Sequence, residues 1–399
     1  MDIPDIDTLT PIVARVLRIE DITTGDARQK FLVRYRGKLY GESDVAYDRL
    51  AESLRPLAIT PLFRKDGDQD AVLLRLGVIQ ARPANPLVNL VLFILTLLSV
   101  IFAGVLYSYD GPIPESSAEL WLALLRSLPS GIPFAVSLLA ILLAHEFGHY
   151  LAGRYHKTYV TLPYFIPFPF SPFGTMGAFI QLKEPPRNRR TMLDIGIAGP
   201  IAGLVVAIPV LLIGLSLSKI EPINLSPGQG IQLEGNSILY LFLKYIVFGQ
   251  LLPSPSSYGE LPVWLYWVRY FFTGTPLPLG GMDVMIHPVA WAGWAGLLVT
   301  ALNLIPAGQL DGGHVVNVLL GRRARLLLPF ILGLLVLLGF FWNGWWLWAG
   351  LIFFLGRVVA EPLDQITTLD PRRKLVAVLG VIIFILVFTP VPLVVYSAG

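Results

Sequence analysis

From residue 83 onward the chain is a succession of apolar runs of membrane-crossing length, and nothing else in it limits the fold so strongly. A bilayer core about 30 Å thick asks for about 20 apolar residues per helix, and every backbone polar group inside it has to be bonded internally. Runs of that kind lie at 86–107, 131–155, 192–217, 287–306, 325–342, 344–360 and 374–396. The expected fold class is an α-helical polytopic membrane protein of about seven transmembrane helices, with the lipid bilayer as its surroundings. Composition agrees: of 399 residues 54% are hydrophobic and 14% charged, and mean hydropathy is +0.65, where soluble domains are nearer one-quarter charged. A net charge of +3 is too mild for a nucleic-acid partner. The absence of cysteine excludes disulfides, thiolate metal ligands and cysteine nucleophiles.

Residues 1–82 are the one substantial polar block and read as a small soluble α+β domain of ββαββ order, followed by a transmembrane domain over 83–399. "PIVARVLRIEDI" and "KFLVRYRGKLY" read as strands joined through "TTGDAR". "ESDVAYDRLAESL" reads as a helix with Ser43 as N-cap, and two more strands flank the Asp66-Gly67 turn. "ARPANP" links this block to the membrane. Two further stretches, "SILYLFLKYIVFGQLL" and "VWLYWVRYFF", are short, aromatic and charged, and read as interfacial or re-entrant helices.

Basic residues fix the orientation. Arg154, Lys157, Lys183, Arg187, Arg189 and Arg190 follow the second run, Arg322, Arg323 and Arg325 the fourth, and Arg357, Arg372, Arg373 and Lys374 the sixth. The alternate connections are acidic or neutral, with Asp110, Glu115 and Glu119, then Glu221, Glu234 and Glu260, then "FWNGWW". By the positive-inside rule this predicts a cytoplasmic N-terminus and an external C-terminus. The acidic start "MDIPDIDTLTPIV" has neither a signal's apolar core nor a transit peptide's Arg/Ser bias, so the expected location is a prokaryotic cytoplasmic membrane.

Within the second run stands "HEFGH", residues 145–149. His145 and His149 are one helical turn apart, on one face and about 6 Å apart along the axis. That spacing lets two imidazoles grip one tetrahedral metal ion, with Glu146 placed to act on a water beside it. A carboxylate at mid-membrane costs on the order of 3 kcal/mol, and a metal ion would offset it. Zinc takes a third protein ligand and leaves a position for water. The candidate is Asp311 in "NLIPAGQLDGGH", where Pro306 ends one helix and Gly308, Gly312 and Gly313 let the backbone bend. His314 is the rival ligand. Irregular backbone at that depth is tolerated only against protein or a wet cavity.

"HEFGH" in one span and "NLIPAGQLDGG" at a later one resemble the site-2 protease family of intramembrane zinc metalloproteases. "FGTMGAFIQLKEPP", "DIGIAGPIAG" and "HPVAWAGWAGLL" match too, in the manner of the branch typified by plastid Egy-type proteins and their bacterial relatives. The resemblance covers roughly residues 86–320. It implies that His145, His149 and Asp311 bind Zn²⁺, that Glu146 is the catalytic base, and that Asn303 helps to orient substrate backbone. The substrates would be transmembrane proteins. No PDZ-like domain lies between the spans and no CBS-like domain at the C-terminus.

The proline-studded stretch "YVTLPYFIPFPFSPFGTMGAFIQLKE" cannot be a spanning helix. "GAFIQLK" reads as a strand, with Gly174 and Gly177 allowing turns beside it. Family likeness implies a re-entrant β-loop near the zinc, whose edge would take up an unwound substrate. The small residues of "DIGIAGPIAG" suit close helix packing. His156 and His287 are expected at the membrane interface, and the tryptophans, several of them in "FWNGWWLW", in an interfacial belt.

The expected function is zinc-dependent hydrolysis of peptide bonds within or beside transmembrane helices, toward the cytoplasmic side. The alternatives are a metal-binding transporter and an inactive protease-like membrane chaperone. Glu146 argues against the first, since transport does not need an acid inside the pentad. The intact base and ligand set argue against the second. Serine and aspartyl intramembrane proteases are disfavoured by the lack of G-x-S-x-G-type and G-x-G-D motifs.

Overall fold

The computed structural model describes residues 5–25, 31–77, 84–112, 114, 116–223, 230–356 and 361–397. Asp26–Arg28 of the first connection, Ala81–Pro83 of the linker, Glu115 and Arg357 lie outside the described residues, as does the side chain of Arg322.

The polar block folds as α1 (Ile6–Ala14), β1 (Leu17–Thr24), β2 (Val33–Leu39), α2 (Ser43–Leu54), β3 (Ile59–Asp66) and β4 (Gln69–Leu76). The strands form one antiparallel sheet in the order β1-β2-β4-β3. Alternate residues of β2 and β3 point inward, and Tyr35, Phe63 and Val72 meet Leu9 and Val13 of α1 and Leu50 and Leu54 of α2 in one core. Two expectations change here. The first four residues of the expected first strand, Pro11–Ala14, belong to α1: Asp5 caps it by accepting from the Ile6 amide at 2.7 Å, and Leu9 and Val13, four residues apart, share its buried face. Ser43 is not the N-cap of α2. That place falls to Glu42, and the Ser43 hydroxyl is used elsewhere.

The apolar part follows as α3 (Pro86–Ser108), α4 (Ser117–Arg126), α5 (Ile132–Tyr155), β5 (Tyr164–Pro167), β6 (Thr175–Phe179), α6 (Arg189–Ser216), β7 (Lys219–Pro222), β8 (Gly230–Glu234), α7 (Ile238–Phe248), α8 (Val263–Thr273), β9 (Met282–Met285), α9 (Pro288–Asn303), α10 (Asp311–Leu320), α11 (Leu327–Leu338), α12 (Gly344–Leu355), α13 (Pro371–Val387) and β10 (Leu393–Ser397). Helices α5, α6 and α9 pack on one another, with Phe134, Leu138, Leu211 and Trp294 in the shared core. β7 pairs with β9, and β8 with β10, at the end where α6 and α13 finish and α9 begins. There Lys244 of α7 lies fully buried 3.9 Å from Asp283 of β9, and Tyr240 donates to Glu234 at 2.8 Å.

Among the described residues three helices are long and apolar enough to cross a bilayer: α3, α6 and α5 with the turn before it. The other four expected spans are helical but shorter, with 16 residues in α9, 12 each in α11 and α12, and 17 in α13. Their ends have local causes. Pro306 follows α9, and a 3₁₀ segment Gly321–Leu326 takes the start of the expected 325–342 span. Pro390 and Pro392 stop α13, after which the chain turns into β10. At 1.5 Å per residue, α11 and α12 reach only about 18 Å each. The tryptophans divide. Trp346 is exposed, whereas Trp294 and Trp345 are among the largest fully buried side chains. Their indoles donate to Gly235 and Pro390 carbonyls at 2.8 and 2.6 Å.

The segment between α12 and α13 ties the polar domain to the membrane region. Phe63 of β3 donates to the Leu363 carbonyl and accepts from the Gln365 amide, while Leu363 and Asp364 donate to the carbonyls of Pro186 and Arg187. The Asp364 carboxylate is fully buried and accepts from Ser43 at 2.9 Å, from the Ile366 amide at 2.7 Å and from Thr367. Arg187 pairs with Asp48, and Arg190 with Asp44 at 3.1 Å.

Candidate metal centre

His145, Glu146 and His149 lie on α5, all at most 6% exposed. His149 is six residues, or about 9 Å, from the C-terminal end of that helix, so the pentad sits toward its basic end. The Nδ1 of His149 is 2.7 Å from the Ile195 carbonyl of α6. A proton held on Nδ1 by that carbonyl leaves the Nε2 lone pair free for a metal.

Asp311 opens α10, at the point where the chain re-forms a helix after the Pro306–Gly308 break. Its Oδ2 lies 3.3 Å from Nε2 of His145 and 3.3 Å from Nε2 of His149, and the two Nε2 atoms are 3.2 Å apart. Zinc–ligand bonds of about 2.0–2.1 Å at tetrahedral angles put ligand atoms about 3.3–3.4 Å apart. The triangle therefore has the edges of one face of a tetrahedral zinc site. Two imidazoles and one carboxylate are a zinc donor set with a fourth position open. Among the described residues these three form the one such group, and His314 is outside it.

The three residues line a cavity of about 200 Å³ together with Glu146 and Asn303. The Asn303 amide nitrogen, at the end of α9, is 3.3 Å from Nε2 of His145. The Glu146 carboxylate faces the backbone amide of Ile180, just beyond β6. Ala178, Phe179 and Ile180 form another wall. β6 pairs only with β5 among the described residues, so one of its edges is open. The β5–β6 hairpin runs along α3: Asn89 donates to the Leu162 and Pro163 carbonyls and Ser99 to the Gly174 carbonyl, a stretch of ten residues or about 15 Å.

Gly174 sits at the far end of this hairpin, away from the cavity wall, with φ +72° and no room for a side chain, since a Cβ would meet the Ser99 carbonyl oxygen at 2.5 Å. Gly177 lies within β6 with φ +97° and does not line the cavity either. Both shape the strand and neither touches the centre. Gln309, His314 and Met192 do line it. His314, three residues after Asp311, was legible from helical spacing; Met192 was not, because only the packing of α6 on α5 brings it there. Two of the "DIGIAGPIAG" glycines pack on the histidine pair, Gly199 on His149, where a Cβ would lie 2.1 Å from Nε2, and Gly203 on His145, while Gly196 packs on His314. His156 and His287, the two histidines expected at the interface, each have a partner. His156 pairs with Asp194 at 2.9 Å, which Arg373 also holds, and His287 caps α9 by accepting from the Val289 amide.

Residues 133–338 match the profile of peptidase family M50. The chain is 32% identical to the probable zinc metalloprotease EGY1, chloroplastic, of Arabidopsis thaliana, over 66% of this chain and 43% of that one. It is 29% identical to the protein of the same name in Oryza sativa subsp. japonica, over 90% of this chain and 62% of that one, and 29% identical to EGY2 of Arabidopsis thaliana, over 70% and 46%. The chain thus spans about half the length of the curated relatives it matches. No solved structure matches it. These relatives carry chloroplastic names, and the expected prokaryotic cytoplasmic membrane finds no support among them. With the family profile covering half of the chain and homologues named as zinc metalloproteases, the chain belongs to peptidase family M50, the site-2 protease family.

Proposed function

We propose that the chain is a zinc-dependent endopeptidase that cuts peptide bonds within or beside transmembrane helices of other membrane proteins. The observation that carries this proposal is the buried triangle of His145, His149 and Asp311 with Glu146 beside it, on the half of α5 toward its basic end, in a helix long enough to span a bilayer. When bound there, zinc supplies a Lewis acid that polarises the scissile carbonyl and makes water a competent nucleophile at neutral pH. Glu146 takes the proton from the attacking water on its carboxylate and hands it to the leaving amide nitrogen. Asn303 offers its amide to the substrate backbone at the cavity's edge. A helical substrate hides its peptide bonds, so it has to unwind. The open edge of β6 provides backbone donors and acceptors for an extended segment, and Gly174 and Gly177 hold that strand in place. The cut falls toward the basic end of α5, on the side of the polar domain.

The test is Glu146→Gln, assayed on a transmembrane-helix substrate beside a zinc measurement. Zinc should stay bound at about one per chain while hydrolysis falls by about 10²–10⁴, the usual worth of a general base. Undiminished cleavage by the variant would refute the role of Glu146. Metal flux across liposomes that depends on the same residue, with no cleavage of any helix offered, would favour a transporter.

A further inference from the structure

Beside the metal centre, on the side of the polar domain, lies a second and larger cavity of about 680 Å³. Arg64 and Lys65 from the end of β3 form one wall, and Arg189 of α6 and Arg325 another, with Glu361 as the one acid among the lining residues. Glu361 is shared, 3.6 Å from Arg64 and 3.2 Å from Arg325. Lys65 faces Asp70 at 2.6 Å, and the buried Asp364 carboxylate, held by Ser43 and the Ile366 amide, adds a negative charge that acts on Arg64 and Arg189, so among the described residues four cations stand against three acids. Arg189 is half-buried and makes no ion pair among the described residues. The cavity keeps an excess of positive charge.

The two cavities adjoin. Met192 lines both, one turn along α6 from Arg189. One face of α10 runs from one to the other: Asp311 and His314 stand in the metal centre, and Asn317 and Gly321 in the basic cavity. From Asp311 to Asn317 is about 9 Å along the axis and to Gly321 about 15 Å. An extended peptide advances about 3.3 Å per residue. A substrate segment leaving the centre on this side would meet the basic wall about three to five residues from the cut.

We propose that this cavity is a charge filter for the substrate's polar flank, selecting helices that carry acidic residues about three to five positions from the scissile bond. The proposal rests on the protease function above and names its substrate class. Flanks on the basic side of a membrane are usually rich in Lys and Arg, so a basic vestibule rejects most helices and admits the few with an acidic flank. Such rejection is how specificity is gained when the transmembrane segments themselves look alike.

The test uses fluorescent peptides with one transmembrane helix and a flank bearing Asp-Asp-Asp, Asn-Asn-Asn or Lys-Lys-Lys. Binding is read by anisotropy on the full chain carrying Glu146→Gln, and cleavage on the chain with Glu146 intact. The Asp flank should bind about tenfold more tightly than the Asn flank and the Lys flank correspondingly more weakly, as three part-exposed ion pairs would give. The preference should shrink at 0.5 M salt and vanish when the Asp triplet is moved about twelve residues from the mapped cut. Arg189→Glu should invert the order, and so should Arg325→Glu, whose exposed side chain makes misfolding no explanation. Equal binding of the three flanks overturns the proposal. So does tripolyphosphate binding that depends on Arg325 while flank charge has no effect, since the cavity would then serve a small anion. A binding preference without cleavage of any peptide counts against the protease function alone, and cleavage without preference against the filter alone.

Discussion

Gly199→Ala should empty the metal centre without replacing any of the three residues that would hold the ion. Position 199 lies on α6 where it crosses α5, and an added Cβ would stand 2.1 Å from Nε2, 2.4 Å from Cδ2 and 2.5 Å from Cε1 of His149. Ordinary contact begins at 3.4 Å, so the shortfall is 3.4 − 2.1, or 1.3 Å. Metal–ligand distances tolerate about ±0.2 Å. The methyl group would also sit about as far from Nε2 as a zinc ion does. Relief comes in two ways. His149 can swing away, which breaks the ligand triangle and its bond to the Ile195 carbonyl. Alternatively α6 can retreat by about an ångström, which loosens the α5–α6 packing at the usual overpacking cost of about 1–3 kcal/mol and carries Ile195 and Met192 with it.

Either way zinc affinity should fall by at least about 10²-fold, or about 2.7 kcal/mol. The assay is zinc content after dialysis against a competing chelator, with thermal unfolding followed in parallel. Other glycines, one on the same helix and one on α12, supply a graded series. Gly203→Ala puts a Cβ 3.2 Å from Nδ1 of His145, a squeeze of a few tenths of an ångström, and should weaken zinc binding only several-fold. Gly350→Ala, with nothing within 4 Å, should leave zinc binding unchanged. Wild-type zinc affinity in Gly199→Ala would refute the reasoning, because the helix spacing that creates the collision would then not hold.

Three further outcomes are expected. Asn303→Ala should lower kcat/KM by about 10-fold to 100-fold with zinc content preserved; zinc loss would make Asn303 a prop for His145 instead. Asp364→Ala removes the acceptor of Ser43 and of the Ile366 and Thr367 groups, so hydrogen exchange at the Phe63 and Gln365 amides should speed up by about 10-fold or more while the β1–β2 amides stay protected. The Asp370 carboxyl, which accepts from the Arg373 side chain and amide at the start of α13, is held down to about 2. A depressed acid stabilises the folded chain fully above its unfolded value near 4 and loses that contribution as pH falls through about 2, so unfolding temperature should drop across that window and Asp370→Asn should flatten the drop.

What the sequence disclosed depended on how far apart the cooperating residues lie. His145 and His149 were legible because one helical turn joins them. The sheet of the polar domain was legible because its strands alternate and turn locally at Gly67. Ser43 was misread because its partner is Asp364, 321 residues away, and a serine before a helix looks the same whether it caps that helix or holds another segment. β8 and β10 were missed because each pairs with the other from more than 150 residues away, and because the Leu-Val-Val-Tyr of β10 continues the apolar run read as the 374–396 span.

Four of the expected spans are helices shorter than a bilayer core asks for, and the shortness of one of them, α9, bears on the centre itself. Hydropathy averages over a window and does not register where backbone bonding stops. Between Asn303 and Asp311 it was the Pro306 and glycine pattern, not the hydropathy, that marked the break, and there the helix ends, turns through Pro306 and Gly308, and restarts. An uninterrupted helix there would keep position 311 on the next two turns of α9, directed wherever that helix's own face pointed. The break makes Asp311 the first residue of a new helix, free to approach the two histidines from a direction α9 could not supply. Broken backbone at membrane depth is stable only where it borders protein or a wet cavity, and the same turn leads to the metal centre on one side and along α10 to the basic vestibule on the other. The shortness of α9 and the closing of the ligand triangle are thus consequences of one interruption.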